Sequence, residues 1–225
     1  MFESIRLASS SSSKATAVII GVFTDKKLDA AAAALDKAHG GIISAALGRA
    51  ESTCETGKLA EAYPHGGKSG PQRIIIAGLG KRDSFKDGSL RNVAAAIGRR
   101  LAVTKDTVVS IELASALAGA KRVKLAHAGR CFGEGLGLIG WKNWLFKGTA
   151  HNKNGEKPKR TSLTVSASNK EFADGAERGL ALAASANFCR DLSETPPNIA
   201  TPAFMADQAR KMAKQTGLSC KVFEG

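Results

Sequence analysis

Short runs of β-branched and aliphatic residues, each followed by a stretch at helical spacing, dictate what this chain can fold into. Thr16 to Phe23 and Arg73 to Ala77 are continuous apolar runs, the pattern of strands buried on both faces. Thr107 to Leu113 and Thr161 to Ser166 read as two further strands. Between them lie helical stretches. Leu28 to Ala38 is alanine-rich, with Asp25 and Asp29 near its start. Leu90 to Val103 carries Leu90, Val93, Ala94, Ile97 and Leu101 on one face, and Lys121 to Ile139 reads as a third long helix. Strands alternating with helices imply an α/β layer around a largely parallel sheet.

The last third reads differently. Lys147 to Arg160 is rich in Gly, Asn, His and Lys and nearly free of apolar residues, so it is expected to be a surface loop. A helix is predicted from Glu171 to about Leu192, with Gly175, Gly179 and Ala183 forming a small-residue stripe for close packing. Pro196-Pro197-Asn198 breaks the chain. Thr201 is a natural N-cap with Pro202 at the first helical position, for a helix to about Gln215 that Gly217 closes. Ser219 to Phe223 would begin a new strand. The domain boundary is placed near residue 165, giving units 1–165 and 166–225, and the second unit reads as the start of an incomplete β-α-β pattern. No internal repeat is present.

Composition limits the functional classes. Of 225 residues 43% are hydrophobic and 24% charged, ordinary for a globular protein with a sizeable core. The longest strand-like apolar run, Ala15 to Phe23, is far short of a membrane span. Glu3, Arg6 and the serine run Ser9 to Ser13 stand where a signal peptide would need its apolar region. Cys54, Cys131, Cys189 and Cys220 lie far apart without Cys-x-x-Cys spacing, so a reducing cytosol is the simplest compartment. The formal net charge is +13, and residues 1–150 hold 22 Lys/Arg against 12 Asp/Glu. The basic residues come in twos and threes (Lys26-Lys27, Lys81-Arg82, Arg99-Arg100, Lys121-Arg122-Lys124) rather than massed. A solvated basic surface is the plainer reading, with non-specific nucleic-acid binding as the alternative.

Several motifs promise more than they carry. Gly78-Leu79-Gly80-Lys81 follows a strand, but the third glycine of a dinucleotide fingerprint would fall on Asp83, so a turn leaving the strand is expected. Gly67-Lys68-Ser69 resembles the end of a phosphate loop, yet Gly70-Pro71 forbids the helix that should follow. His39, His65, His127 and His151 show no metal-ligand spacing, and His127, between Ala126 and Ala128 on a predicted helix, reads as structural. No Gly-x-Ser-x-Gly elbow is present. Trp141, Trp144 and Phe146 form an aromatic cluster that reads as a hydrophobic plug, with a base-stacking platform as the alternative. No catalytic, metal or cofactor-binding residue is assigned in this chain.

Taken in order, three stretches resemble the M17 leucyl aminopeptidases, also called cytosol aminopeptidases. Ile74-Ile75-Ile76-Ala77-Gly78-Leu79-Gly80-Lys81 with Leu90-Arg91 resembles that family's strand–GLGK–helix segment. Glu134-Gly135-Leu136, with Trp141 and Trp144-Leu145-Phe146-Lys147, resembles its E-G-x-x-L…Y-x-F-x-x-Y-K segment, with tryptophan where tyrosine is usual. Asn187-Phe188-Cys189-Arg190-Asp191-Leu192, Pro196-Pro197-Asn198 and Thr201-Pro202 are similar to its N-x-x-R-D-L-x-N-x-P-x-N-x-x-T-P linker, with Glu194 in place of asparagine.

The resemblance implies a macro-domain-like N-terminal module, a long linker helix and the beginning of an α/β peptidase domain. It also implies a cytoplasmic, hexameric hydrolase of peptides. In the family a pair of divalent ions, manganese or zinc, activates water and polarises the scissile carbonyl. The family's ligand motifs, G-K-G-x-x-F-D-S-G-G and N-T-D-A-E-G-R, do not occur in these residues, and Arg190 and Asp191 read as structural linker residues. The expected role is therefore structural or oligomerising, as the front part of a metalloaminopeptidase and inactive alone. The alternatives are a basic, non-enzymatic module that binds nucleic acid and an assembly-only subunit.

Overall fold

In the computed structural model, the described residues are 2–8, 15–65, 70–104, 106–121, 123–142, 146 and 161–223. They contain β1 (Phe2–Ala8), β2 (Ala17–Phe23), α1 (Ala30–Ala38), α2 (Ile42–Leu47), β3 (Leu59–Ala62) and β4 (Arg73–Gly80). Then follow α3 (Leu90–Thr104), β5 (Val108–Glu112), α4 (Ala114–Ala118), α5 (Leu125–Gly140), β6 (Thr161–Ala167), α6 (Lys170–Ser193) and α7 (Pro202–Thr216). The strands form one sheet in the order β1-β6-β5-β2-β4-β3, parallel throughout except for β3, which runs antiparallel to β4. This is the mixed α/β layer expected from the alternation of strands and helices.

Successive strand residues point to opposite faces, and the two faces carry separate cores. Ile19, Ile75, Val109 and Val165 join Val93, Ile97, Phe132 and Phe172 on one side, where α3, α4, α5 and the start of α6 pack. Ile20, Ile74 and Ile76 join Ala32, Ile43 and Leu47 on the other, under α1 and α2. That double burial is why β2 is apolar throughout and β4 is apolar from Ile74 onward.

Local chemistry sets the helix ends. Asp29 caps α1, its side chain accepting from the N–H groups of Ala31 and Ala32 at 2.8 and 3.0 Å. The start of α2 has no cap of its own. Buried Asp36 on α1 supplies one, accepting from the N–H groups of Ile43 (2.7 Å) and Ser44 (3.2 Å) and from the Ser44 hydroxyl. Burial alone would raise its pKa, but these donors outweigh it and hold the carboxyl below its ordinary value. Thr201 caps α7 by accepting from the Phe204 N–H at 3.3 Å, and Gly217 ends that helix at φ +75°.

The helix α5 is unusual. It holds Gly129, Gly133, Gly135 and Gly137, each costing about 1 kcal/mol of helix propensity relative to alanine. Packing explains them. A Cβ on Gly129 would stand 2.1 Å from the Phe172 carbonyl oxygen, and one on Gly133 would stand 2.0 Å from that of Ala176. In return, a Cβ on Gly175 or Gly179 would meet the Ala126 or Arg130 carbonyl oxygen at 2.1 Å. The backbones of α5 and α6 therefore touch, and the Gly175–Gly179–Ala183 stripe is one half of a two-sided glycine seam. On its other flank α5 lies against α3, where a Cβ on Gly135 would stand 2.3 Å from the Arg91 carbonyl oxygen.

Three sequence expectations change. The strand β4 continues to Gly80 rather than turning at Gly78. Helix α5 begins at Leu125, after the separate short helix α4, rather than at Lys121. Ser219 to Phe223 adopts no strand, since a strand requires a neighbour and none among the described residues pairs with it. The loop 147–160 lies outside the described residues.

The described residues up to Lys142 and those of 161–186 form one compact unit, and residues from Asn187 onward belong to a second. Among the described residues of that second unit Ala213 is the one buried apolar side chain, whereas Ile199, Met205, Met212, Leu218 and Phe223 are exposed. So few buried side chains cannot offset the entropy of ordering the segment. Trypsin is expected to cut first at Arg190, Arg210, Lys211 or Lys214, leaving a resistant core that extends to about Ala186. Removing 187–225 should raise solubility. Equal protease resistance of both units in a monomer would show that the second folds on its own.

Candidate functional site

In open α/β sheets ligands favour the carboxyl ends of the strands where the strand order reverses, here between β2 and β5. Several polar groups in that region are bonded to one another, while Asp29 Oδ2 is buried without a hydrogen-bond partner. Arg82, just past β4, pairs with Asp25 at 3.1 Å and lies over the Phe23 ring at 4.3 Å. Partial burial raises the Asp25 pKa, but the bonds and charges of Arg82 and Lys27 outweigh that and leave it lowered. Ser115, on α4, donates to Asp29 at 2.9 Å.

The glycines Gly78 and Gly80 show directly whether a phosphate could be cradled there. A Cβ on Gly78 would lie 2.2 Å from the Glu55 carbonyl oxygen, and one on Gly80 2.4 Å from Thr56 Oγ1. Their N–H groups, the donors a phosphate would need, already bond to the carbonyls of Lys58 (2.8 Å) and Cys54 (3.0 Å). Both glycines admit the chain's own 54–58 segment beside the strand, as a glycine inside a strand often does. This is not a nucleotide loop. Gly67-Lys68-Ser69 lies outside the described residues.

The opposite ends of the strands hold the densest ionic network. Glu61 on β3 accepts from Arg73 at 2.8 Å, from Arg100 at 2.8 Å and from the Tyr63 hydroxyl. Arg73 also pairs with Asp106 at 3.1 Å, and Asp106 accepts in turn from Thr16 and Thr104. The Arg100 bond, with help from Tyr63 and the Arg73 charge, pulls the Glu61 pKa down to about 2 against the desolvation that would raise it. Every charge here is matched, so the network ties β3, β4, α3 and the start of β5 together and offers no reactive group. Sequence reading missed it, because its ion pairs join residues 12 to 39 apart with no shared motif.

His127 pairs with Asp87 at 3.0 Å and its other ring nitrogen lies 3.8 Å from the Cys131 thiol. The order carboxylate–imidazole–thiol is that of a nucleophilic site. Cys131, however, is fully buried, and desolvation pushes its thiol pKa up despite Arg91 and Arg130 nearby, the opposite of an activated cysteine. Buried Cys54 is raised for the same reason. His127 is thus paired with a carboxylate and lies beside a thiol that is not activated.

Small hollows lie among the described residues, of which two are each ≈ 10 Å³, room for about one water. One is lined by Phe132, Leu136, Val165 and Phe172 beneath the glycine seam; the other lies beside Cys54 and Gly78. Among the described residues no three His, Cys, Asp or Glu side chains converge where they could hold a metal ion, and no helix is long and apolar enough to cross a membrane. Trp141 ends α5, while Trp144 lies outside the described residues.

The first two segments that carry the family resemblance are structurally linked. Arg91 Nε donates to Glu134 at 2.6 Å, and Gly135 seats α5 on the Arg91 backbone, so the first two segments meet where α3 and α5 pack. The third ends α6, where Arg190 donates to Asn187 at 3.2 Å.

Comparison with known proteins agrees. Residues 19–147 match the model of the cytosol aminopeptidase family, N-terminal domain. A probable cytosol aminopeptidase of Aromatoleum aromaticum is 30% identical over 218 residues, covering 94% of this chain and 42% of the relative. One from Burkholderia orbicola is 27% identical over 214 residues, covering 93% and 41%. Among solved structures, the bottromycin maturation enzyme BotP in complex with Mn superposes with a TM-score of 0.63 at 25% identity, covering 94% of this chain and 39% of that one. A tomato leucine aminopeptidase mutant superposes at 0.70 and 20% identity, covering 95% and 42%, which speaks to the fold. The chain spans about two fifths of the length of the curated relatives it matches. With more than half of its residues in the matched domain, the chain belongs to the cytosol aminopeptidase family.

Proposed function

We propose that these residues are the N-terminal, structural and oligomerising part of a metal-dependent leucyl-type aminopeptidase, with the catalytic half outside them. The macro-domain-like module would span residues 1–165, with the linker helix and the start of the peptidase domain in 166–225. One observation carries the reading. Helix α6 runs unbroken from Lys170 to Ser193, about 36 Å at 1.5 Å per residue, and its first half is seated backbone to backbone on α5. The helix thus leads from the packed module into the segment that resembles the family's linker. The complete protein is proposed to be a hexamer acting on peptides in the cytoplasm; the relatives' names, probable cytosol aminopeptidase, support the compartment and the substrate class.

The complete enzyme would use two divalent ions, manganese or zinc, supplying an activated water. The described residues do not fit them, since they bring no ligand set together, and no step of hydrolysis is assigned to this chain. The 225-residue chain is expected to show no hydrolysis of a leucyl-anilide with added manganese, zinc or cobalt, whereas a chain continued through the family's two ligand motifs should hydrolyse it. Turnover by the 225-residue chain that a chelator abolishes would overturn the reading.

The alternative, a basic module that binds nucleic acid, rests on the +13 charge. Several of those cations (Arg73, Arg82, Arg91, Arg100) are ion-paired. Any binding to duplex DNA is therefore expected to be non-specific. With about four phosphate contacts, affinity would fall on the order of 100-fold between roughly 50 and 200 mM salt. Titration of two unrelated duplexes across a salt series checks this. A preference for one sequence that survives high salt would favour the nucleic-acid reading instead.

A further inference from the structure

We draw no further inference here: the strongest candidate, the hydroxyl-lined sheet face that Ser4, Ser162 and Thr164 give to β1 and β6, carries nothing because nothing in the structure shows what covers it.

Discussion

Gly133→Ala is expected to lower the stability of the first unit by about 2–3 kcal/mol, and Gly133→Val to leave it unfolded or insoluble. At an unobstructed helical position the change to alanine would instead gain up to about 1 kcal/mol of propensity, so the sign itself is diagnostic. The added Cβ would stand 2.0 Å from the Ala176 carbonyl oxygen and 2.8 Å from its carbon. Those are backbone atoms of α6, which cannot rotate away as a side chain would. The two helices must separate, and the contacts made by neighbouring Gly129, Gly175 and Gly179 are lost with them. Phe132 and Phe172, whose rings lie 5.7 Å apart beside this seam, would also lose packing. Gly140→Ala is the control: no atom lies within 4 Å of its Cβ position, and it should be neutral or slightly stabilising. Urea unfolding of the three variants measures the difference. Parental stability in Gly133→Ala would mean that α5 and α6 do not touch as described.

Glu61→Ala is expected to cost about 3 kcal/mol, toward the lower end for breaking a partly buried ion pair. Glu61 is 12% exposed and Arg73 19%, but Arg100 is 40% exposed and can be rehydrated, while Arg73 keeps Asp106. The network also predicts an acid response. The Glu61 carboxyl falls from an ordinary value of 4.5 to about 2 in the folded chain, so between these values the unfolded state binds more protons. Its contribution is therefore complete above about pH 4.5 and disappears as the pH falls toward 2. Asp36 and Asp25, also lowered, act in the same direction. Comparing unfolding midpoints from pH 6 down to pH 2 in the parent and in Glu61→Ala isolates the term, because the variant should lose less on acidification. Parallel pH profiles would show that Glu61 is not held as an ionised partner of Arg100.

Much of the architecture was legible before any coordinates. Continuous apolar runs mark β2 and β4 because a strand covered on both faces has no solvent side to make polar. Thr201-Pro202 and Gly217 mark the ends of α7 because the capping bonds are local. Other elements escaped for equally physical reasons. The strand β3, Leu-Ala-Glu-Ala, has little strand propensity of its own and exists because β4 offers it an antiparallel edge. Ile5 and Leu7 of β1 pack against the core, an alternation too short to stand out in the sequence. The separate helix α2 is held by Asp36, seven residues before the first N–H it caps.

The family assignment was likewise within reach of the sequence, since the glycine, arginine and proline positions that carry it are short linear motifs. What each motif does was not. Gly78 and Gly80 resemble a phosphate loop in one dimension, and only the position of residues 54–58 shows the cradle filled by backbone. The small-residue stripe on α6 predicted close packing, but its partner is a second glycine series on α5, some forty residues earlier. The Glu61–Arg73–Arg100–Asp106 network has no linear signature at all. Local bonding and burial periodicity are set by near neighbours and can be read along the chain. Close approach of backbones and pairing of charges depend on which distant segments the sheet order brings together, and that was decided in three dimensions.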